Sequence, residues 1–340
     1  MTENGRIKAW LPAIRSDSGA DVYTRRLAVA LEHNGITTEI TWFPLHYELF
    51  PFLLQRAQPP AGTDIIIANS WTAFAFKRCA LPLVAVVHHC AFDPDLRRYK
   101  SKQQNLYHRL FAEPREVRSL GVADAVVAVS HCVADQLRQK RGLDNVEVIY
   151  NWVDTELFTT KLQGERRDKP FQLLFVGKLS RLKGGDLLAA LMCSLGANFE
   201  LLFTADLHNC KKMNLPSNMI PVGRLSEQEM IAAYQSCDAL LLPSRAEGFG
   251  YAALEAMGCG KPVIASNNTA LPELVQDGIT GILCDTNDLN AFLSACRRLA
   301  DEPEISSVMG GAGRRRVLQK FSEGSATASY LKLIRRLVVH

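Results

Sequence analysis

The sequence predicts an α/β protein built from two doubly wound, Rossmann-like domains, and three observations carry that prediction. Short apolar runs alternate with longer amphipathic stretches, the runs are continuous rather than alternating in hydrophobicity, and the whole series occurs twice within 340 residues. Unbroken apolar runs mark strands covered on both faces, as in a parallel sheet between helix layers. A chain of this length is about two domains long, so each series has enough residues for its own core.

In chain order, strands are predicted at 7–14, 38–43, 64–68, 83–87, 125–129 and 146–149, with helical spacing at 23–33 and 131–140. The polar stretch TTKLQGERRDK (159–169) then reads as a linker. The second series has strands at 173–176, 200–204, 239–242, 262–265 and 281–284. Domains 1–160 and 161–321 are therefore expected, with a ligand in the cleft where the carboxyl ends of their strands face one another.

Composition narrows the class. With 47% hydrophobic and 22% charged residues and a net charge of only +4, the chain is not expected to read nucleic acid. Nine cysteines, odd in number and never spaced CxxC, are expected as reduced, mostly buried thiols of a cytoplasmic protein. The longest apolar run, 80–87, is interrupted by Pro82 and far short of the roughly 20 residues a spanning helix needs. The start, MTENGRIKAW, lacks the pattern of a secretory signal.

The sharpest local signal is LLLPSRAEGFGYAALEAMGCG (240–260): a buried strand, a small-residue loop, and a helix from about Gly250 to Met257. Glycines on either side of Phe249 allow close backbone approach, and the helix start offers N–H groups and a positive dipole end to an anion or sugar hydroxyls. Glu247 and Glu255 flank that start; at ~1.5 Å rise per residue their carboxylates reach up to about 12 Å apart. A glycosidase pair needs roughly 5 to 9.5 Å, so two hydrogen-bonding arms for one extended ligand fit better. The alternative is a solvated helix carrying two glutamates.

A second strand-loop-helix, LLFVGKLSRLKGGD (173–186), gathers Lys178, Arg181 and Lys183 beside Gly177, Gly184 and Gly185, as a pyrophosphate would require. Neither GxxxxGK[ST] nor GxGxxG occurs, so a P-loop and a dinucleotide fold are not supported. An ordinary basic surface loop is the alternative. In the first domain SDSGA (16–20) places Gly19 between a strand and a helix, and His88, His89 and Cys90 end another strand. A plain turn and a structural histidine are the alternatives there. Without HExxH or a loop acidic pair, no metal site is expected.

Taken together these residues resemble the family 4 glycosyltransferases, retaining enzymes of GT-B architecture. The match runs through EGFGYAALE as the E-x7-E motif, VGKLSRLKG as the phosphate loop, and VSHCVADQL, YNWVDTELF, YQSCDALLLPS and DGITGILCDTNDL, in order along nearly the whole chain. The resemblance implies that Glu255 binds the ribose of a nucleotide sugar, that Glu247 and the amides of Gly248, Phe249 and Gly250 hold the donor sugar, and that Lys178, Arg181 and Lys183 neutralise the diphosphate in place of a metal. Gly19 would approach the phosphates, and His88 would lie at the sugar's reacting face. The terminal helix, within 322–340, would return to the first domain. Lys178 stands where the family usually has Arg, so a fork becomes a point charge. LLFTADLHNC (201–210) replaces a usual glycine-containing turn, and the usual His-Asp pair appears as His88-His89.

The resemblance thus implies a metal-independent retaining transferase that moves a hexose from a UDP- or GDP-sugar to an acceptor hydroxyl, in cell-surface polysaccharide, lipopolysaccharide or glycolipid synthesis. A nucleotide-sugar epimerase of the same architecture and a non-catalytic nucleotide-sugar-binding protein are the rival readings. The aromatic run WFPLHYELFPFLL (42–54) and the basic, aromatic FDPDLRRYKSKQQNLYHRLF (92–111) suggest a lipid-linked or sugar acceptor and peripheral contact with an anionic membrane surface. Core packing and a solvated helix are the alternatives for these two stretches.

Overall fold

Once water is excluded, every strand N–H and C=O must find a partner, and the buried apolar runs find them in each other. In the computed structural model, which describes residues 6–16, 18–78, 80–90, 94–161, 169–205, 207–210 and 214–338, this happens in two separate sheets. Met1–Arg97, Ser101–Asn151 and Glu323–His340 form one unit, and Arg98–Lys100 with Trp152–Ser322 the other.

The first unit runs β1 (Lys8–Ile14), α1 (Gly19–His33), β2 (Thr37–Phe43), β3 (Ile65–Asn69), β4 (Leu83–Val87), α2 (Lys102–Tyr107), α3 (Glu113–Val122), β5 (Ala125–Ala128), α4 (His131–Arg141) and β6 (Val146–Val148). Its strands are parallel in the order β2-β1-β3-β4-β5-β6. Ser18 and Ser130 cap α1 and α4, and Gly142 in the left-handed region ends α4. Trp10, Phe76, Leu83 and Ala85 meet in the core. Pro12 is tolerated in β1 because it lies past the short ladder to β3, which pairs only Ala9 and Trp10. The expectation that every strand is covered on both faces fails at β2, an edge strand of TTEITWF with no fully buried residue.

The second unit runs β7 (Phe171–Phe175), α5 (Gly185–Leu195), β8 (Phe199–Thr204), α6 (Leu207–Cys210), β9 (Met219–Gly223), α7 (Glu227–Ser236), β10 (Ala239–Leu242), α8 (Tyr251–Gly258), β11 (Val263–Ser266), α9 (Leu271–Leu274), β12 (Gly281–Cys284), α10 (Leu289–Asp301) and α11 (Pro303–Lys320). The order is β12-β11-β10-β7-β8-β9, again parallel. Sequence reading omits β9: MIPVG carries a proline and an exposed Ile220, which an edge strand accepts because one side of its ladder is unpaired.

The terminal helix α12 (Glu323–Val338) clusters with the first unit. There fully buried Tyr330 shares a hydroxyl hydrogen bond with Tyr23 of α1, and Arg336 donates to Glu147 of β6. The expected boundary at 160/161 moves to 151/152. Trp152, Val153 and Phe158 are buried in the second unit, where Val153 N–H donates to the Phe321 carbonyl at 3.3 Å and the Phe158 ring lies 6.2 Å from that of Tyr234. Most of the expected linker, 162–168, lies outside the described residues, as do Asp17 of SDSGA, Phe92 and Asp93 of the basic aromatic stretch, and Asp206 of LLFTADLHNC. The eight described cysteines are free thiols, and burial pushes those of Cys237, Cys259 and Cys284 up to about 12. Among the described residues no helix is long and apolar enough to cross a membrane.

Candidate active site

In a doubly wound sheet, ligands bind beyond the carboxyl ends of the strands where the strand order reverses. In the second unit that reversal falls between β7 and β10, which are neighbours although 63 residues lie between the end of one at Phe175 and the start of the other at Ala239. The basic loop leaves β7 and the glutamate loop leaves β10, so both constellations arrive at the switch point. Their backbones touch: a Cβ on Gly184 would stand 2.1 Å from the Pro243 carbonyl oxygen, and its φ is +71°. Only glycine fits there.

The contact brings opposite charges together. Lys183 Nζ lies 2.7 Å from both carboxylate oxygens of Glu247, and Ser244 Oγ donates to the same carboxylate at 2.8 Å. The Glu247 side chain is only 10% exposed. Its backbone N–H donates to Thr269 Oγ1 at 3.0 Å. Thr269 holds a φ of +46°, an unfavourable place for a β-branched residue, and its hydroxyl bonds Asn268, whose amide donates to Ser244 O and Thr286 Oγ1. Backbone strain of this kind, paid by a local network, is how a loop keeps one carboxylate in one place.

A second clamp was not visible in the sequence. Arg245 is buried, donates to the Asp186 carboxylate through both terminal nitrogens at 2.5 and 3.0 Å and through Nε to Asn287 at 2.6 Å, and also bonds the Arg181 carbonyl. It therefore ties the glutamate loop to the basic loop and to the start of α5. Burial raises the Asp186 pKa, but the hydrogen bonds and charge of Arg245 outweigh it and hold the carboxyl below its ordinary value. Its one signal in the sequence is an arginine three residues beyond a buried strand. Lys178 is exposed, and Arg181, two-thirds exposed, brings Nε to 4.0 Å from the Asp186 carboxylate.

Glu255, one turn into α8, accepts from the Tyr234 hydroxyl at 3.0 Å. Burial, then the Glu255 charge, pushes the Tyr234 pKa well above its usual value, so this hydroxyl stays a donor. Neither α5 nor α8 has a side-chain cap, whereas α1, α4, α7 and α10 do. Packing also fixes two residues of the glycine loop. Phe249 is packed inward against Tyr251 and Phe321, leaving only its backbone for a ligand. Gly250, at φ +106°, is required by α9, since a Cβ there would lie 3.1 Å from Leu271 and 3.2 Å from Leu274.

In the first unit, Gly19 opens α1, and Asp21 accepts from the Ser16 N–H and hydroxyl, at 3.0 and 2.8 Å. His88 follows β4, half-buried, with its ring 4.7 Å from Tyr23 in an edge-on arrangement. Burial lowers its pKa to about 4, so it is neutral at neutral pH. His89 is exposed beside Trp71, 5.1 Å away. Among the described residues no three His, Cys, Asp or Glu side chains group as metal ligands.

The family described as Glycosyltransferase Family 4 matches residues 19–157, and that described as Glycosyl transferases group 1 matches 159–316. An uncharacterized glycosyltransferase of Methanocaldococcus jannaschii is 32% identical over 196 residues, covering 56% of this chain and 54% of the relative. A D-inositol 3-phosphate glycosyltransferase of Arthrobacter sp. is 27% identical over 286 residues, 76% of this chain and 67% of the relative. The chain thus spans about half to two thirds of the length of these relatives. Among solved structures, a sucrose-phosphate synthase from Thermosynechococcus elongatus superposes with a TM-score of 0.83 at 21% identity, over 98% of this chain and 100% of that one. HepE from Anabaena, in complex with UDP and glucose, gives 0.76 at 20% identity over 98% and 100%. With two Rossmann-like sheets and both halves matched, the chain belongs to the family 4 glycosyltransferases, of GT-B architecture.

Proposed function

We propose that this protein is a metal-independent, retaining glycosyltransferase that moves a hexose from a UDP- or GDP-sugar to a hydroxyl of a sugar or lipid-linked acceptor, in cell-surface polysaccharide, lipopolysaccharide or glycolipid synthesis. The observation that carries this reading is the meeting of Lys183 with Glu247 at the switch point of the second sheet. In this reading Glu255, oriented by Tyr234, takes the ribose hydroxyls. Glu247 and the amides of Gly248, Phe249 and Gly250 take the sugar, and Lys178, Arg181 and Lys183 take the diphosphate. Gly19 supplies a further amide to the phosphates, and the His88 carbonyl faces the developing oxocarbenium charge.

The chemistry then follows from charge. Without donor, Lys183 is engaged by Glu247; as the sugar–phosphate bond breaks, negative charge grows on the diphosphate and competes for the same ammonium. A contact that strengthens along the reaction lowers the barrier rather than merely tightening binding. The departing diphosphate leaves on the face the acceptor enters, so the reaction is a front-face displacement through an ion pair.

The test incubates the protein with UDP-glucose, chosen because HepE is described in complex with it, and with GDP-hexoses, with and without acceptors and with EDTA, followed by NMR. Donor should be consumed only with acceptor, give a product of the donor's anomeric configuration, and ignore EDTA. Conversion of donor alone to another sugar would make it an epimerase; binding without turnover, a binding protein. Loss of activity in EDTA would require a metal, and a trapped glycosyl-enzyme would end the front-face mechanism.

A further inference from the structure

Parts of the two stretches named as acceptor clues, 45–52 and 102–111, come together on one face of the first unit, where Tyr107 donates to Glu48, away from any role in the chemistry above. α2, a π-helical turn (His108–Ala112) and α3 follow one another without a break. Such a helix should turn its apolar stripe inward. Here Leu106 and Leu110, one turn apart, face solvent, and the extra residue of the π turn brings Phe111 out as well. Beside them stand Leu49, Phe50 and Phe52, and all six are between 46% and 58% exposed. Leu49, Phe52, Leu110 and Phe111 line a cleft of about 400 Å³ with Arg115 and Arg118 at its rim.

The charge of this face is one-signed. Residues 101–118 carry Lys102, Arg109, Arg115 and Arg118 against Glu113 and Glu116. The acids present are already engaged: Glu113 pairs with Arg141, buried Glu116 accepts from Ser70, and Glu48 accepts from Tyr107. Arg115 and Arg118 lie over the rings of Phe111 and Phe74, their stems covering apolar surface. Lys102 and Arg109 are exposed.

We propose that this face docks the protein on an anionic lipid bilayer, with Leu106, Leu110, Phe111, Phe50 and Phe52 entering the headgroup boundary and the exposed Lys102, Arg109 and Arg118 meeting lipid phosphates, while Arg115 holds the Glu48 and Leu49 carbonyls. Half-exposed apolar side chains inside a cationic rim are what an interfacial helix presents to such a surface. A second copy of this chain is a poor occupant, because a two-fold contact would set cation against cation.

Co-sedimentation with vesicles of phosphatidylcholine alone, and of phosphatidylcholine with phosphatidylglycerol, tests this. The parent should bind the anionic vesicles and not the neutral ones, and lose binding as salt is raised. Lys102→Gln with Arg109→Gln should weaken binding by about 25-fold, at about fivefold per cation, and Leu110→Ser with Phe111→Ser by at least about tenfold. Failure of the parent to bind, equal binding to neutral vesicles, variants that bind like the parent, or a dimer abolished by the serine pair would each overturn the proposal. The parent's lipid and salt dependence decides even if a variant misfolds. The assay reads no turnover, so its outcome stands apart from that of the transferase reading.

Discussion

The ends of the two sheets are furnished in opposite ways. At the switch point of the second unit, charged groups are locked together: Lys183 to Glu247, Arg245 to Asp186, Tyr234 to Glu255. At the strand ends of the first unit, the placed groups are a helix-opening Gly19 and a neutral His88 held by aromatic packing, and Lys102, Arg109 and Arg118 stand exposed along the stretch from α2 to α3. A preorganised charge network suits a ligand of constant structure, because orientation is settled before binding. A sparsely wired surface suits a partner that varies.

Breaking the wired end should have the largest effect. Lys183→Ala is expected to lower transfer by about 10²–10³-fold, the usual loss of one group that stabilises developing charge, measured as kcat with saturating donor. Glu255→Gln should weaken nucleotide binding by roughly tenfold, read by calorimetry, and Tyr234→Phe by less, since it removes only the group that orients the carboxylate. If Tyr234→Phe cost as much as Glu255→Gln, the orienting role would be wrong.

Smaller effects sharpen the comparison through stability. Arg245→Met should cost about 1–2 kcal/mol in urea unfolding, less than a fully buried pair, because the Asp186 side chain is 38% exposed and water screens it. Asp186 has a lowered folded pKa, so its contribution is complete above the ordinary carboxylate range and is lost as pH falls through the folded value; the variant should lack that acid-side loss. His88 has the same proton balance, although here it is the neutral form that the fold keeps. With a folded pKa of about 4 against 6.5, the unfolded chain binds the proton first, so the parent loses stability as pH falls from 6.5 to 4. His88→Gln should flatten that slope and leave stability above neutral pH unchanged; an equal slope in both proteins would show that His88 is not kept neutral by the fold.

Much of the architecture was legible because its signals are local. Eleven of the twelve strands among the described residues were read from apolar runs, with bounds within two residues, and the missed one, β9, is a proline-bearing edge strand that shows no such run. The motif loops were legible because their composition is unusual: three cations among glycines, two glutamates around a helix start. Arg245 and Thr269 were not legible, since an arginine is seen to be functional only when its burial and its carboxylate partner are known, and a strained threonine only when its φ is known. The packing roles of Phe249 and Gly250 were not legible for the same reason, their neighbours Phe321 and Leu271 lying far along the chain.

By itself the sequence determined that there would be two parallel sheets with helices between their strands, because hydrophobic period and turn chemistry act over a few residues. Only the tertiary structure decided that β10 lies against β7, which carries Glu247 to Lys183 across 64 positions, and that α12 joins the first unit. Strand order is set by packing and crossover geometry between segments distant in sequence, and no local pattern encodes which neighbour a strand will choose.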